Sequence, residues 1–327
     1  MADRSLSLRI HPSEFPAAIR DAVVKGLKQG RVPGRLLYQS PAQARRWLAY
    51  HHAYAPSQTD AGLRDMYRQA FGAAGAAIGR KAAVTVSLGC GGGQKDGDLF
   101  EALPQAGSCY VPLDTSPALV VEAMLHVTSR HPKVAAYPLV ANLDAEPDLH
   151  KWLDGVVPRE LPRLFCAFGV LPNLDPDILL PYLRRQLRVA DLLLLSTNLS
   201  PAGLAADGDR ILAQYDNRRA RAWYLGALES LGIRRSWIDL RIEALALQPD
   251  GEWWQIAVQG IPRRSVEVQV HGEAIALGPA TPLSVFTSQR FTPAALRKRL
   301  QAAKLHVISA WEGAKGEEGI YLCRAGA

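Results

Sequence analysis

The chain lacks a long hydrophobic run, an export signal and closely spaced cysteines. None of its 327 residues belongs to an apolar stretch of the roughly 18 residues that span a bilayer. The N-terminus carries Asp3, Arg4 and Arg9 where a signal peptide would have an apolar core. Cysteine is scarce, and no two have C-x-x-C spacing: Cys90, Cys109, Cys166 and Cys323. We therefore expect a cytoplasmic protein with free thiols, without a membrane span or a metal site.

Acidic residues are few in the N-terminal quarter of the chain. Residues 1–80 hold twelve Lys and Arg against five Asp and Glu, while the whole chain has a formal charge of +7. Such a segment could face nucleic acid or another anion, or its charges could simply be solvated helix faces. The content of 48% apolar and 21% charged residues is typical of a globular protein, and the length suggests one large domain with a smaller one.

A glycine-rich turn is the most informative local feature. The apolar run Val84–Leu88 reads as a buried strand, Gly89–Gly93 as the turn that follows it, and Gln94–Leu103 as a helix. Glycine suits such a turn because it permits positive φ and lets a ligand approach the backbone. A second strand, Cys109–Leu113, ends at Asp114, the spacing at which α/β folds place a carboxylate on ribose hydroxyls. Together they predict a bound nucleoside.

The form of the turn indicates which nucleoside is bound. Dinucleotide folds carry G-x-G-x-x-G, whereas here Leu-Gly-Cys-Gly-Gly-Gly is followed by Gln-Lys-Asp, without the last glycine. This resembles the first motif of S-adenosylmethionine (SAM) methyltransferases, whose cofactor has no phosphate. A nicotinamide enzyme and a tight turn with no ligand remain as alternatives.

Strands and helices alternate after the glycine turn. Three further apolar runs are predicted as strands: Val134–Val140, Leu164–Phe168 and Asp191–Thr197. Pro117–Ser129, capped by Thr115 or Ser116, and Pro176–Val189 are predicted as helices. This alternation indicates a parallel sheet covered on both faces, with ligands at the carboxyl ends of its strands. Four sites then share that rim: Gly89–Gly93, Asp114, Asn142 and Gly169–Asn173.

The two ends of the chain differ from this middle part. After Gly232, period-two alternation predicts antiparallel strands at Trp237–Leu245, Trp253–Val258 and Ser265–His271. A helix at Phe291–Lys304 and a hairpin of Leu305–Trp311 with Ile320–Cys323 follow. The first 75 residues look helical, with breaks near Pro33 and Pro56. We expect a helical region (1–75) beside the substrate site, a SAM-binding Rossmann-like domain (76–235), a β-rich insertion (236–290), and a last helix and hairpin that complete the main sheet (291–327).

Several separated motifs occur in a specific order. They are Tyr54–Asp60, Leu88–Lys95, Tyr110–Ser116, Leu171–Leu174 and Ile211–Asn217. From about residue 38 to the end, the chain resembles the histidine-specific SAM methyltransferase family, whose type member trimethylates the α-amine of histidine in the ergothioneine pathway. The resemblance implies a class I SAM methyltransferase fold, with SAM as cofactor and S-adenosylhomocysteine (SAH) as product.

The resemblance also implies the roles of individual residues. The implied cofactor-binding residues are Gly89, Cys90, Gly91, Lys95, Asp114, Thr115, Asn142 and Leu143. The implied substrate-binding residues are Tyr54, Asn173, Tyr215, Phe286 and Ser288. Of these, Asn173 and Tyr215 are expected to act in catalysis by orienting the acceptor amine.

The chain departs from the family mainly where the substrate side chain binds. The type enzyme grips imidazole with a Glu-x-Ser pair, and here Ser288 is kept while Phe286 replaces the carboxylate. An unpaired imidazole N–H would cost roughly 1–3 kcal/mol, which argues against histidine as the substrate. In the N-terminal motif, Ala55 and Gln58 replace a tyrosine and an arginine. Asn142 stands for an acid that contacts adenine, and an asparagine can still hydrogen-bond the adenine edge.

These observations predict an N-methyltransferase that acts in line on an amino acid or related small amine. We expect it to be a monomer whose partner is the small-molecule substrate. A nucleic-acid methyltransferase is an alternative, although the Leu171-Pro-Asn-Leu loop lacks the usual (Asn/Asp)-Pro-Pro-(Tyr/Phe) order. A peptide methyltransferase and a SAM-binding protein without turnover are the others.

Overall fold

The computed structural model describes residues 6–55, 57, 60–270, 272–313 and 316–326. The α-helices in these residues are α1 (Pro16–Lys28), α2 (Pro41–Tyr54), α3 (Ala61–Ile78), α4 (Gln94–Leu99), α5 (Pro117–Arg130), α6 (Leu149–Leu153), α7 (Pro176–Gln186), α8 (Gly203–Tyr215), α9 (Arg218–Glu229) and α10 (Pro293–Ala302). The strands are β1 (Arg9–Ile10), β2 (Val84–Leu88), β3 (Cys109–Asp114), β4 (Ala135–Ala136), β5 (Leu139–Val140), β6 (Arg163–Phe168), β7 (Leu192–Asn198), β8 (Ile238–Ala246), β9 (Trp253–Pro262), β10 (Val266–Val270), β11 (Glu273–Leu277), β12 (Leu283–Phe291), β13 (Leu305–Glu312) and β14 (Glu318–Ala325).

The main sheet has the strand order β1-β5-β3-β2-β6-β7-β14-β13, and β4 also pairs with β3. The strands from β1 to β7 run parallel to one another. Strand β14 pairs antiparallel with β7, and β13 pairs antiparallel with β14. The chain leaves β2 toward β3 and β5, then returns to the other side of β2 with β6 and β7. This is a Rossmann-like α/β fold, and its strand order reverses beside β2, which is where such sheets bind ligands.

The central strands are buried because helices cover both faces of the sheet. All five residues of β2 and all six of β3 are buried. Along β6, Phe165 packs into the core beneath α7 and α10, whereas its neighbour Leu164 packs into the core beneath α3. Successive side chains of a strand point to opposite faces, so a near-continuous apolar run is what this position requires.

A second, antiparallel sheet of β8, β9 and β12 forms a separate layer with the β10–β11 hairpin. Its core includes residues of α1 and α9, so the N-terminal helices and the C-terminal strands share one hydrophobic cluster. Trp223 of α9 is buried in this cluster and donates a hydrogen bond to Leu37 O over 2.6 Å. The Ser200 backbone N–H donates to Phe291 O over 2.8 Å and thereby joins the end of β12 to the residues after β7.

Most predicted elements are confirmed, and their errors lie at the ends. The predicted helix 94–103 stops at Leu99, and the predicted helix 176–189 stops at Gln186, with Val189 fully exposed. The predicted strand 134–140 splits into β4 and β5 around Pro138, since proline donates no hydrogen bond to a ladder. The caps of α5 and the terminal hairpin of β13 and β14 are as predicted.

Three strands were not predicted, namely β1, β11 and β12. Strand β1 has only two residues. Strand β12 contains the polar run Thr287–Arg290, so its sequence does not have the apolar pattern of a buried strand. Pro56, Gln58 and His271, which entered the predictions, lie outside the described residues. All four cysteines are buried and unpaired. In the described part of the chain, no helix is long and apolar enough to cross a membrane, and no group of His, Cys, Asp or Glu could hold a metal.

Candidate functional site

A cavity of about 1020 Å³ lies at the carboxyl ends of β2, β3 and β6. The second sheet contributes β12 to its wall, and α2 contributes Trp47 and His51. All four sites of the predicted rim open into this cavity, including Asn142 and Asn173. The strand order reverses at this point, so the topology and the cavity identify the same place.

The glycine turn has the backbone that its sequence predicts. Gly89, Gly91 and Gly93 have φ values of 63°, 54° and 75°. A Cβ on Gly93 would lie 2.7 Å from the Ala123 Cα of α5, and a Cβ on Gly91 would lie 2.7 Å from the Trp47 ring. Side chains are therefore excluded on one side by helix α5 and on the other by α2. The turn brings bare backbone up to the cavity.

Asp114 ends β3 with its carboxylate held in place. Its two oxygens accept hydrogen bonds from the Ser116 N–H at 2.9 Å and the Gly91 N–H at 3.3 Å. The pKa of Asp114 is raised to about 6, mainly by burial and in smaller part by the charge of the nearby Glu14, while those backbone donors oppose the rise. A buried carboxylate with acceptor capacity left is suited to binding vicinal hydroxyl groups.

Lys95 lies at the start of α4 and lines the same cavity. Its Nζ donates to Tyr67 Oη at 2.5 Å and to Glu318 Oε1 at 3.2 Å, and it lies 4.3 Å from the centre of the Tyr67 ring. The lysine is thus a fixed cation at the cavity wall with one counter-ion behind it. An anionic ligand group in the cavity could accept a charge-assisted hydrogen bond from the Lys95 ammonium.

The predicted adenine end is shaped by a segment near the N-terminus. Asn142 accepts a hydrogen bond from the Asp144 N–H at 3.0 Å, and its own backbone N–H donates to Ser13 Oγ at 3.1 Å. The Asn142 amide nitrogen has no partner within the described residues and is free for a ligand. Thr115 Oγ donates to Glu14 at 3.0 Å, and Leu143 lines the cavity. The N-terminal segment therefore holds two predicted cofactor residues in place.

On the predicted substrate side, the structure divides the residues into two groups. Phe286 and Asn173 line the cavity, and Asn173 is exposed. Tyr215 and Ser288 are hydrogen-bonded to each other at 2.9 Å and are buried, and neither is among the described residues that line the cavity. Tyr54 is 39% exposed at the end of α2 and is likewise not part of the described lining.

Buried polar neighbours hold Tyr215 in place. Its oxygen accepts from Asn198 Nδ2 and from Arg290 Nη2, both at 3.3 Å. With both acceptor positions occupied, the Tyr215 hydroxyl proton is directed to Ser288. Phe286 stacks on the Tyr215 ring at 6.3 Å, so this cluster supports the cavity wall from behind.

Sequence reasoning missed several aromatic residues of the cavity wall. Tyr38, Trp47, His51 and Trp253 all line it, yet three of the four precede the glycine turn by dozens of residues. The four-residue spacing of Trp47 and His51 on one helix face was the available signal.

The chain matches a known family over most of its length. The model of a family described as histidine-specific, SAM-dependent methyltransferase matches residues 19–325. The comparison with curated proteins gave no match. Among solved structures, the chain is similar to the 1,6-didemethyltoxoflavin-N1-methyltransferase of Burkholderia thailandensis, with 14% identity, coverage of 100% of this chain and 94% of that chain, and a TM-score of 0.44.

Two further structures have a comparable similarity. The magnesium protoporphyrin IX methyltransferase (ChlM) of Synechocystis PCC 6803, crystallised with SAH, has 12% identity, coverage of 88% of this chain and 97% of that chain, and a TM-score of 0.45. The CcbJ methyltransferase of Streptomyces caelestis has 13% identity, coverage of 80% and 90%, and a TM-score of 0.42. Similarities this distant carry no argument about the acceptor.

Proposed function

Since the chain belongs to the family of histidine-specific SAM-dependent methyltransferases, we propose that it methylates the amino nitrogen of a free amino acid or related small amine. SAM is the cofactor, and SAH is the product. One observation carries the acceptor class: Phe286 lines the same cavity as the glycine turn and Asp114. A nonpolar ring is present where the family places the carboxylate that binds imidazole.

The described residues fit the cofactor. We propose that Asp114 accepts hydrogen bonds from the ribose hydroxyls, Asn142 and Leu143 receive the adenine, and Lys95 pairs with the methionyl carboxylate. Gly89, Cys90, Gly91 and Thr115 form the wall between these points. When bound, SAM supplies a methyl group already activated on a sulfonium, so little covalent help is needed. The protein then acts by positioning and by excluding water, and orientation alone is worth roughly 7–11 kcal/mol.

The acceptor would be held by residues on the other side of the cavity. We propose that Asn173 binds the amino and carboxylate end and that Tyr215 and Ser288 fix the wall on which Phe286 lies. Phe286 packs on Trp223 at 5.3 Å and on Tyr224 at 5.6 Å between ring centres. This rigid aromatic surface favours an apolar or aromatic side chain over imidazole, whose N–H groups it cannot bind. We also propose a substrate contact for Tyr54, because its helix α2 lines the cavity through Trp47 and His51.

The N-terminal helices and the cysteines bear on the domain organisation and the cellular location of the protein. We propose that the helical region, residues 1–75, contributes to the substrate site of the Rossmann-like domain. Four buried, unpaired thiols support a reducing, cytoplasmic location, and we propose a monomer.

Against nucleic acid as the substrate, several basic residues of the N-terminal quarter are already ion-paired: Arg20, Lys28, Arg35 and Arg68. A salt-dependent affinity for nucleic acid would revive that alternative.

Calorimetry with SAH, followed by a panel of free amino acids and small aromatic amines with SAM, tests the proposal. We expect low-micromolar SAH binding, and SAH formation that is faster with phenylalanine, tyrosine or tryptophan than with histidine. SAH binding without turnover of any amine would contradict the amine proposal while leaving the cofactor site intact. Peptides and nucleic acid would then be the next acceptors to test.

Phe286→Glu tests the basis of this specificity. A carboxylate at this position should accept an imidazole N–H, so we expect the kcat/KM ratio of histidine to phenylalanine to rise at least about tenfold. Phe286→Leu is the control, because it removes the ring without adding an acceptor. If both variants change the ratio equally, Phe286 does not select against imidazole. Thermal unfolding of each variant shows whether the aromatic cluster has survived.

A further inference from the structure

His51 is a cavity-lining residue to which the mechanism above assigns no task. It lies on α2, and its ring stacks on that of Trp47 with centres 4.9 Å apart and planes at 26°. Trp47 in turn covers Gly91, since a Cβ there would lie 2.7 Å from the indole. The Trp47 indole therefore lies between the His51 imidazole and Gly91, the middle residue of the glycine turn.

The charge of Lys95, the residue proposed for the methionyl carboxylate, acts on His51. The groups that act on it are Lys95 of α4 and His52 of its own helix, and behind Lys95 lie Tyr67 of α3 and Glu318 of β14. The pKa of His51 is lowered to about 3, mainly by burial and in smaller part by the charges of Lys95 and His52. The imidazole is therefore neutral at physiological pH, and one ring nitrogen is an acceptor.

That acceptor is not used by the protein. Within the described residues, no side-chain or backbone group hydrogen-bonds to either ring nitrogen of His51. Asp114 and Lys95, assigned above to the ribose and the methionyl carboxylate, place the reactive sulfur between them. His51 lines the same cavity as these two residues, and the charge of Lys95 acts on its ring. A cofactor placed in this way shares its cavity with the imidazole of His51.

We propose that His51 is a catalytic residue that accepts a hydrogen bond from the methyl-accepting nitrogen and so aims its lone pair. This rests on the proposed amine methylation. The nitrogen lone pair forms the new N–C bond, the electron pair of the broken S–C bond stays on sulfur, and the methylated nitrogen passes its extra proton to water after release. No proton has to reside on His51, in keeping with its weak basicity.

The surroundings of His51 also favour the unprotonated form of the substrate amine. Burial and the cation of Lys95, which keep His51 neutral, also disfavour an ammonium ion placed beside it. A substrate amine should therefore bind as the free base, which is the nucleophilic form. A strong general base is then unnecessary, and a hydrogen-bond acceptor in the correct place is sufficient.

Sinefungin tests the proposal without a known substrate, because it carries an amino group in place of the methyl group of SAM. Calorimetry compares sinefungin with SAH for wild type, His51→Phe, His51→Asn and His52→Phe. Phenylalanine keeps a ring to stack on Trp47 but has no acceptor. We expect His51→Phe to weaken sinefungin about tenfold with SAH unchanged within twofold, and His51→Asn to recover part of the loss. His52, exposed on the same helix, is the matched control and should change neither.

Turnover gives a second readout with the best amine of the panel. We expect His51→Phe to lower kcat about 10- to 100-fold and His52→Phe to leave it within twofold. An unchanged sinefungin-to-SAH ratio together with an unchanged kcat in His51→Phe overturns the proposal, as does an equal loss of both ligands. If no amine is methylated, the proposed function fails, while the sinefungin comparison still decides whether His51 faces the transferred group.

Discussion

Replacement of Asp114 by alanine is expected to weaken SAH binding by at least about 100-fold. Hydrogen bonds to a charged group contribute about 1.5–3 kcal/mol each, and the ribose presents two hydroxyls. Tenfold in affinity corresponds to about 1.4 kcal/mol. Asp114→Asn keeps an oxygen for the Ser116 N–H and removes the charge, so it separates ligand binding from the support of the turn. Calorimetry measures the affinity, and thermal unfolding checks the fold.

The same carboxylate makes binding depend on pH. Burial raises the pKa of Asp114 to about 6, and the proposed contact with the ribose hydroxyls requires the ionised form. SAH affinity should therefore fall about tenfold per pH unit below 6. The free protein should respond in the opposite sense, because a folded-state pKa above the unfolded value stabilises the fold as pH falls through 6.

Asp114→Asn should remove the pH dependence of SAH binding. Asp96, which also lines the cavity, has its pKa raised to about 6 by burial, opposed by hydrogen bonds from Tyr110 and Ser87. A pH dependence that persists in Asp114→Asn would assign it to Asp96 and would contradict the role given to Asp114.

Gly93→Ala is expected to destabilise the protein by about 2 kcal/mol or more and to abolish measurable SAH binding. Its φ of 75° costs any L side chain about 1–2 kcal/mol. The added Cβ would also lie 2.7 Å from Ala123 Cα and 2.9 Å from Ala123 O, which are backbone atoms of α5. The turn must move to relieve this contact, and its backbone is the floor of the cavity. Denaturant unfolding and calorimetry measure the two effects.

Gly72→Ala is the matched control for this change. Gly72 lies in α3, has no heavy atom within 4 Å of an added Cβ, and has no positive φ. We expect it to stabilise the protein by up to about 1 kcal/mol, since alanine loses less entropy in a helix. Equal losses in the two variants would mean that the conformation of Gly93 is not special.

Prediction from sequence was accurate where a local rule fixes the answer. The glycine turn follows β2 because only glycine tolerates three positive φ angles in five residues. Asp114 ends the neighbouring parallel strand, so sheet geometry alone brings it to the turn, as its hydrogen bond with Gly91 records. The alternation of helices and strands predicted a parallel sheet covered on both faces, which the structure confirms for the strands up to β7.

The acceptor side could not be predicted in the same way. The resemblance implied that Tyr215, Phe286 and Ser288 belong to one substrate site, and in the structure Tyr215 contacts both of the others. Which of them faces the cavity depends on how β12 pairs with β9, including an irregular register between Ser284 and Phe286. A shift of one residue in a strand exchanges the two faces, and no local pattern fixes that shift here.

The sequence by itself determined the α/β class, the glycine turn and the carboxylate of Asp114 beside it, because each depends on backbone conformation and strand pairing in neighbouring strand–turn–helix units. The tertiary structure alone decided which distant segments line the rest of the cavity. Helix α2 with His51, the glycine turn with Lys95, and β12 with Phe286 come from three distant parts of the chain. Their meeting depends on how the N-terminal helices and the second sheet pack into one hydrophobic core, and packing between distant segments leaves no periodic pattern in any one of them.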